Sequence, residues 1–210
     1  MRRDLVVAVA ALVAITALGW LVGAVLGHPR VDATITEWFV DHRSPVLSSA
    51  ARFATHLGAA SVLVAAAVAT SLALHFIGRR PRRIVAIPVL ALLGTTIISQ
   101  AVKHAVGRVR PPVALRLTRA TGYAFPSGHA IESMAVWGAV GILLSTLLDR
   151  RARVAVRISG VALALAVGLS RVYLGVHWAT DVVAGWLLGA AWLTVLLREL
   201  PQNQDIRSAG

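Results

Sequence analysis

The sequence predicts an all-α protein, a bundle of six transmembrane helices. Of its 210 residues, 57% are hydrophobic and 14% are charged, and the mean hydropathy is +0.74. A soluble domain of this length carries about 25% charged residues. Apolar runs that approach the ~20 residues needed to cross a bilayer recur along the chain. Most of the protein surface is therefore expected to face lipid.

Six apolar segments reach or approach the length of a spanning helix: residues 5–26, 57–77, 84–102, 130–148, 154–169 and 182–197. The last two are short, and we expect them to extend through residues 170–181. The first follows two arginines, as in a signal peptide, but its uncharged core exceeds the ~7–15 residues of such a peptide and no A-x-A site follows. We therefore predict a retained first span and one membrane-embedded domain over residues 1–210.

The basic residues predict the orientation, since Lys and Arg concentrate in cytoplasmic loops. They cluster before the first span and in the second–third and fourth–fifth connections: Arg2, Arg3, Arg79, Arg80, Arg82, Arg83, Arg150, Arg151, Arg153 and Arg157. Six spans place these segments and both termini on one side, predicted to be the cytoplasmic side of the plasma (inner) membrane. The opposite loop is charge-balanced, with Arg30, Arg43 and Arg52 against Asp32, Glu37 and Asp41. Within it, residues 33–43 are predicted to form a short interfacial helix.

Composition and the spacing of small residues limit the possible partners, metal sites and helix contacts of the protein. A net charge of +12 points to nucleic acid in a soluble protein, but the apolar fraction argues against that partner. The absence of cysteine excludes disulfides and thiolate metal sites. Gly185 and Gly189 form a G-x-x-x-G pattern in the sixth segment, which favours close packing inside the bundle over dimerisation. The sequence leaves the oligomeric state open.

One loop opposite the basic segments is itself strongly basic. Residues 103–128 contain five cations and no acidic residue: Lys103, Arg108, Arg110, Arg116 and Arg119. Uncompensated positive charge at a membrane surface is costly unless an anion uses it. Contact with lipid headgroups is an equally good explanation for Arg116 and Arg119, and Arg108 fits an ordinary surface charge.

Three groups of ionisable and polar residues flank the predicted spans, where such residues are costly and indicate function. They are residues 103–111 after the third span, residues 126–129 before the fourth, and residues 170–181 between the fifth and sixth. An even number of crossings separates the groups. The span count therefore predicts that all three lie on the same, extracytoplasmic face.

The charges in these groups suit a phosphoryl ligand. Lys103, Arg110 and Arg171 are three cations without an acidic partner nearby in sequence. If they converge, a multiply charged anion must lie between them, and the arginine fork matches phosphoryl oxygens. Ser127 and Gly128 open the fourth span, whose N-terminus offers free N–H groups to a phosphate. Ser127 can cap that helix and donate its hydroxyl to the ligand, while Gly128 permits close backbone approach.

Two histidines supply the predicted chemistry. His177 and Asp181 share one helix face if the sixth helix begins here, so the carboxylate can accept a hydrogen bond from Nδ1 and leave Nε2 as the nucleophile that becomes phosphohistidine. His129 then serves as general acid and afterwards as the base that activates water. No metal or other cofactor is predicted, because the cations supply the positive charge. Glu132, one turn into the fourth span, either tunes His129 or pairs with a cation.

These groups match a family signature. The patterns K-x6-R-P, P-S-G-H and S-R-x5-H-x3-D occur in order at residues 103–111, 126–129 and 170–181, without departure. The chain resembles the type 2 phosphatidic acid phosphatases (PAP2), the membrane branch of the superfamily that holds bacterial acid phosphatases and vanadium haloperoxidases. The resemblance implies a six-span fold and metal-independent catalysis by His177, Asp181 and His129. It implies that the phosphate is held by Lys103, Arg110, Ser127, Gly128 and Arg171.

The function that these features favour is hydrolysis of a lipid phosphate on the extracytoplasmic face. Candidate substrates are a polyprenyl pyrophosphate such as undecaprenyl pyrophosphate, phosphatidylglycerol phosphate and phosphatidic acid. Vanadate-dependent haloperoxidase chemistry is a second hypothesis, although those relatives are soluble and six apolar spans argue against it. A non-enzymatic lipid or ion transporter is a third hypothesis. It explains intramembrane charges but not a His/Asp pair beside three phosphate-seeking cations.

Overall fold

The computed structural model describes residues 30–198, which form helices joined by loops, without a β-strand in that range. The predicted first span, residues 5–26, lies outside the described residues. The helices in chain order are α1 Arg30–Asp41, α2 Pro45–His56, α3 Ala60–Phe76, α4 Arg82–Val85, α5 Ile87–Val106, α6 Gly128–Ser145, α7 Arg150–Tyr173 and α8 Ala179–Leu197. A short 3₁₀ helix, Val113–Leu115, lies in the loop between α5 and α6. The all-α prediction is confirmed for this part of the chain.

Four helices, α5 to α8, are each long and apolar enough to span a membrane. Helices α2 and α3 pass the same test only together, as a pair bent by 51°. Residues 30–198 therefore contain four candidate spans, or five if the bent pair is one span. They fall on five of the six predicted segments, and the chain is a multi-pass membrane protein. As expected, helix extends into residues 170–181, because α7 continues to Tyr173 and α8 begins at Ala179.

Helix α6 is the centre of the bundle, since it packs against α3, α5, α7 and α8. Small residues on α6 allow this crowding. A Cβ at Gly141, for example, would lie 3.0 Å from the backbone carbonyl oxygen of Val156 on α7. The central position places the start of α6 beside the end of α7 and the start of α8, where Ala130, Val172 and Val182 pack together.

Helix α8 lies against the first half of α6 through two glycines. A Cβ at Gly185 would come within 2.9 Å of the carbonyl oxygen of Ser127, and a Cβ at Gly189 would collide with that of Ile131. The G-x-x-x-G pattern therefore packs inside the bundle, as predicted. The same contact brings the start of α8 to the start of α6, where the amide of Ser127 donates to the carbonyl oxygen of Asp181 (3.0 Å).

The two basic connections within the described residues lie together at the opposite end of the bundle. Arg80, after α3, donates to the carbonyl oxygen of Thr146 at the end of α6 (3.3 Å). Arg157 of α7 donates to the hydroxyl of Ser145 (2.9 Å). Arginine at a helix C-terminus satisfies carbonyl groups that lack a partner within the helix. The bundle thus has one arginine-rich end and, at the start of α6, one end that carries the sequence motifs.

We expect Gly189→Leu to lower the thermal stability of the detergent-solubilised protein. The new side chain meets α6 backbone that cannot move aside, and overpacking of this kind costs about 1–3 kcal/mol. Ala190→Leu is the matched control, since Ala190 is exposed on the same helix. Melting temperatures of the two variants test the contact, and equal melting temperatures would contradict the close approach of α8 to α6.

Candidate active site

The turn between α7 and α8 carries His177 and is held by the loop that follows α5. The amide of Leu117 donates to the carbonyl oxygen of Leu174 (2.9 Å). Gly175 has a φ of +70°, and a Cβ there would collide with the carbonyl oxygen of Leu115. Only glycine combines this left-handed backbone with so close an approach. The turn and the loop are therefore fixed to each other by backbone contacts.

The imidazole of His177 is buried between a cation and a carboxylate. Its Nε2 lies 2.9 Å from the Arg110 guanidinium, and its Nδ1 lies 3.4 Å from Oδ2 of Asp181. A guanidinium can only donate hydrogen bonds, so Nε2 must be the acceptor and carry the lone pair. The ring proton therefore sits on Nδ1, on the side of Asp181. This is the tautomer that a nucleophilic Nε2 requires.

His177 is held neutral by its surroundings. Its side chain is 2% exposed, and burial lowers its pKa well below the ordinary value for histidine. Repulsion by Arg110, Arg171 and Lys103 lowers the pKa further, against a smaller opposite effect of a backbone hydrogen bond at Ala124. The three predicted cations thus all lie close enough to act on this ring.

Asp181 is held in place by hydrogen bonds to both of its oxygens. Oδ1 accepts from Arg108 at 2.5 Å, and Oδ2 accepts from the backbone amide of Trp178 at 2.9 Å. The carboxylate is fully buried, in the first turn of α8, where unpaired amides and the helix dipole favour negative charge. Its orientation toward His177 is therefore set by the protein rather than by solvent.

Lys103 and Arg171 are bound to neutral acceptors. Lys103, at the end of α5, donates to the carbonyl oxygens of Tyr123 and Pro126 (2.9 and 2.8 Å). Arg171, at the end of α7, is 7% exposed and donates to the hydroxyl of Thr55 on α2 (2.7 Å). Its Nε is buried without a hydrogen-bond partner. Because none of these acceptors is charged, the positive charge of both side chains stays available to an anion.

Arg110 is clamped by the backbone around it. It donates to the carbonyl oxygens of Thr121 and Gly122 (3.0 and 2.9 Å) and to that of Val176 (2.8 Å). Burial lowers its pKa, Asp181 raises it and Arg116 lowers it again, but arginine stays protonated in proteins. Its guanidinium therefore brings positive charge directly to Nε2 of His177.

The start of α6 offers hydrogen-bond donors to the same region. Ser127 is the N-cap residue by backbone position, yet its side chain makes no capping bond, which corrects the expectation that it caps the helix. Its hydroxyl is fully buried without a partner. A Cβ at Gly128 would lie 3.6 Å from the Ser99 hydroxyl, so the backbone here runs close to α5. A buried donor without a partner is costly unless a ligand or water engages it.

His129 lies in the first turn of α6, half-buried, within electrostatic range of His177, Arg171, Arg110 and Lys103. One turn further on, the carboxylate of Glu132 accepts a hydrogen bond from Thr96 of α5 (3.3 Å). The charge of Lys103 also acts on Glu132. The hydrogen bond of Glu132 is therefore to α5, and both predicted roles, tuning of His129 and pairing with a cation, stay predictions.

The structure corrects the prediction that Arg108 is a surface charge. Arg108 is 2% exposed and forms ion pairs with Asp32 (2.7 Å) and Asp181 (2.5 Å). The guanidinium of Arg116 donates to the carbonyl oxygens of Pro111 and Ala120 in its own loop, and its contact with headgroups stays a prediction. Arg119 is exposed, and its contact with headgroups stays a prediction.

Three residues that contact the site were missed. Asp32 and Thr180 bind Arg108, and Thr55 binds Arg171. No local pattern separates Asp32 from the other acidic residues of its loop, which were counted only as balancing nearby arginines. The position of Thr180 could have indicated a contact with the site, since it directly precedes Asp181 in the 170–181 motif. The eight predicted site residues, by contrast, all lie at one end of the bundle.

Comparison with known proteins gives two relatives that align with most of this chain. An undecaprenyl-diphosphatase of Sulfolobus acidocaldarius is 34% identical over 140 residues, which are 64% of this chain and 64% of that protein. A phosphatidylglycerophosphatase B of Bacillus subtilis is 33% identical over 162 residues, which are 75% of this chain and 77% of that protein. The chain thus matches slightly less than two thirds of the length of the first relative and about three quarters of the second.

A solved structure has the same fold. The crystal structure of a transmembrane PAP2-type phosphatidylglycerolphosphate phosphatase from Bacillus subtilis superposes with a TM-score of 0.79 at 27% identity, over 94% of this chain and 98% of that chain. The PAP2 superfamily model matches residues 84–205, which contain all three sequence motifs. On the fold, the motifs and this match over more than half of its length, the chain belongs to the PAP2 superfamily.

Proposed function

We propose that this protein is an integral membrane lipid phosphatase that acts through a phosphohistidine on His177, without a metal ion. The observation that carries the proposal is the arrangement at that residue. A buried neutral imidazole presents Nδ1 to the carboxylate of Asp181, and three cations act on it from nearby. Membership of the PAP2 superfamily and the phosphatase activities named for the relatives support the same reaction class.

In the first step, the lone pair on Nε2 of His177 attacks phosphorus. The bond between phosphorus and the lipid oxygen breaks, and protonated His129 donates its proton to that oxygen. The leaving group is a lipid alcohol from a monophosphate, or a lipid monophosphate from a diphosphate. Asp181 accepts the Nδ1–H hydrogen bond and stabilises the positive charge on the phosphorylated ring.

In the second step, water replaces the imidazole. Neutral His129 takes a proton from the water, whose oxygen attacks phosphorus. The bond from phosphorus to Nε2 of His177 breaks and inorganic phosphate leaves. The ring returns to its starting tautomer, with the proton on Nδ1 and the lone pair on Nε2.

The cations stabilise the charge on the phosphoryl oxygens during both steps. Lys103, Arg110 and Arg171 supply positive charge, and Ser127 and the free amides that begin with Gly128 supply further donors. The guanidinium of Arg110 donates to Nε2 of His177, so this donor must turn to a phosphoryl oxygen before Nε2 can attack phosphorus. Because positive charge already surrounds the site, a metal ion is not needed to neutralise the transition state.

A lipid substrate suits the surroundings of the site. An open apolar cavity of about 320 Å³ lies between α1, α2 and α7, and its lining includes Trp38, Leu47 and Leu169. Ser170 also lines this cavity and is the chain neighbour of Arg171. We propose that the hydrocarbon tail of the substrate lies against these apolar side chains. The candidates remain a polyprenyl pyrophosphate such as undecaprenyl pyrophosphate, phosphatidylglycerol phosphate and phosphatidic acid.

We further propose that residues 1–210 form one domain that crosses the inner membrane six times. Both termini would then lie on the cytoplasmic side. The arginine-rich end of the bundle would face the cytoplasm, in keeping with the positive-inside rule. The site would then open on the extracytoplasmic side, where a carrier lipid is recycled after use.

We expect the purified protein to release phosphate from a lipid phosphate in detergent with EDTA present. His177→Ala should reduce the rate to below about one-thousandth, as loss of a nucleophile does, and His129→Ala should reduce it by about 10²- to 10⁴-fold. His75→Ala is the control, because His75 is exposed at the end of α3 away from the site. Turnover by His177→Ala would contradict the assignment of the nucleophile. Loss of activity in EDTA would contradict metal independence. If no phosphate is released from any lipid phosphate, the result favours a transporter.

Oxyanions should bind the proposed site. Inorganic phosphate or orthovanadate is expected to raise the melting temperature of the wild-type protein, since a ligand at 100 times its Kd stabilises the folded state by about 2.7 kcal/mol. Arg110→Ala should abolish most of this rise, whereas Arg119→Ala, an exposed cation of the same loop, should not. An equal loss in both variants would point to general charge rather than to a built site.

Cysteine labelling tests the orientation. The chain has no cysteine, so Ala114→Cys and Pro81→Cys each create one exposed thiol, at opposite ends of the bundle. In intact cells, an impermeant thiol reagent should modify position 114 and leave position 81 unmodified until the cells are opened. The reverse pattern would overturn the proposed orientation and leave the chemistry of the site untouched.

A further inference from the structure

A buried ion-pair network lies directly behind the proposed catalytic pair. Arg108, from the loop after α5, donates a hydrogen bond from one terminal nitrogen to Asp181 (2.5 Å) and from the other to Asp32 of α1 (2.7 Å). Thr180 bridges Arg108 and Asp32, because its hydroxyl accepts from Arg108 (2.7 Å) and donates to Asp32 (2.6 Å). Asp32, Arg108 and Asp181 are all at most 2% exposed. The three sequence motifs account for only one member of this network, Asp181.

The network also completes the start of α8. The backbone amide of Thr180, in the first turn, donates to Oδ1 of Asp32 (3.0 Å). Amides at this position have no partner inside their own helix and need an acceptor from elsewhere. Asp32 thus binds both the helix terminus and the arginine that holds Asp181. Helix α1 is fixed to α8 at the residue next to the catalytic carboxylate.

The charges of the network decide how Asp181 faces His177. One cation lies between two buried carboxylates, so Arg108 balances only part of their charge, and the remainder favours a proton on Nδ1 of His177. With Oδ1 bound to Arg108 and Oδ2 to the Trp178 amide, the carboxylate cannot rotate about its Cβ–Cγ bond without losing a hydrogen bond. If the contact with Arg108 weakens, Asp181 can turn away from His177.

We propose that Asp32, Arg108 and Thr180 are positioning residues that hold Asp181 in the orientation that keeps the His177 proton on Nδ1. The inference rests on the proposed function, since positioning matters only if His177 is the nucleophile. None of the three residues is among the proposed phosphate-binding residues. Loss of the network therefore slows the chemical step and leaves the cations that bind the substrate in place.

The test uses the Thr180 hydroxyl, because removing a buried ion pair outright risks unfolding the protein. Thr180→Val keeps the size of the side chain and the backbone amide but removes the bridge between Asp32 and Arg108. We expect kcat to fall about 10- to 100-fold, by analogy with residues that orient metal-binding side chains, with KM within about threefold. Thr180→Ser keeps a hydroxyl and should restore kcat. Thr194→Val, on the exposed side of the same helix, should leave both constants unchanged.

A second readout does not depend on activity. In ¹⁵N-histidine-labelled protein in detergent, the ring nitrogens of His177, assigned by their absence in His177→Gln, should show the Nδ1–H tautomer. Thr180→Val and Asp32→Asn should shift this signal toward a mixture of tautomers, and Thr180→Ser should not. A purely structural network would lower the melting temperature while kcat per folded molecule and the tautomer stayed unchanged, and that result would overturn the inference.

The two proposals fail separately. If the wild-type protein hydrolyses no lipid phosphate, the proposed function falls, and the tautomer of His177 in Thr180→Val still decides whether the network orients Asp181. If the wild-type protein is active and His177→Ala is not, but Thr180→Val matches wild type in kcat and tautomer, only the positioning inference is lost.

Discussion

The burial of Arg108 between two carboxylates is the constraint on which much of this structure depends. Removing one partner of a buried ion pair typically costs about 3–5 kcal/mol, because an uncompensated charge stays behind. The pair therefore requires that α1, the loop after α5 and the start of α8 meet at one point. That meeting point is next to His177. These buried ion pairs and the geometry of the proposed nucleophile thus share one residue, Asp181.

Close backbone packing provides the frame for these charges. The glycines of α8 bring that helix against the start of α6, and Gly175 lets the 3₁₀ turn approach the end of α7. Arg110 and Lys103 are held by backbone carbonyl groups of the loop that precedes α6. These acceptors are neutral, so they leave the positive charge of both side chains uncompensated.

The arginines of the site differ in their hydrogen-bond partners. The positive charge of Arg108 is compensated by Asp32 and Asp181. Arg110 and Arg171 bind neutral acceptors, so their positive charge extends to the neighbouring imidazole. Arginines that look equivalent in the sequence therefore differ in whether their charge is compensated, and only the identity of their hydrogen-bond partners distinguishes them.

The sequence by itself determined the helical class, the positions of five helical segments and the motif residues, because hydropathy and i,i+4 spacing are local properties of the chain. It also determined that Gly185 and Gly189 pack inside the bundle. Only the tertiary structure decided that Arg108 is buried, that Asp32 belongs to the network behind His177, and that the Ser127 hydroxyl does not cap its helix. Asp32 and Arg108 are 76 residues apart in the chain, and no local pattern records such a pairing. A charge is recognised as buried only when the helices that exclude water from it are in place.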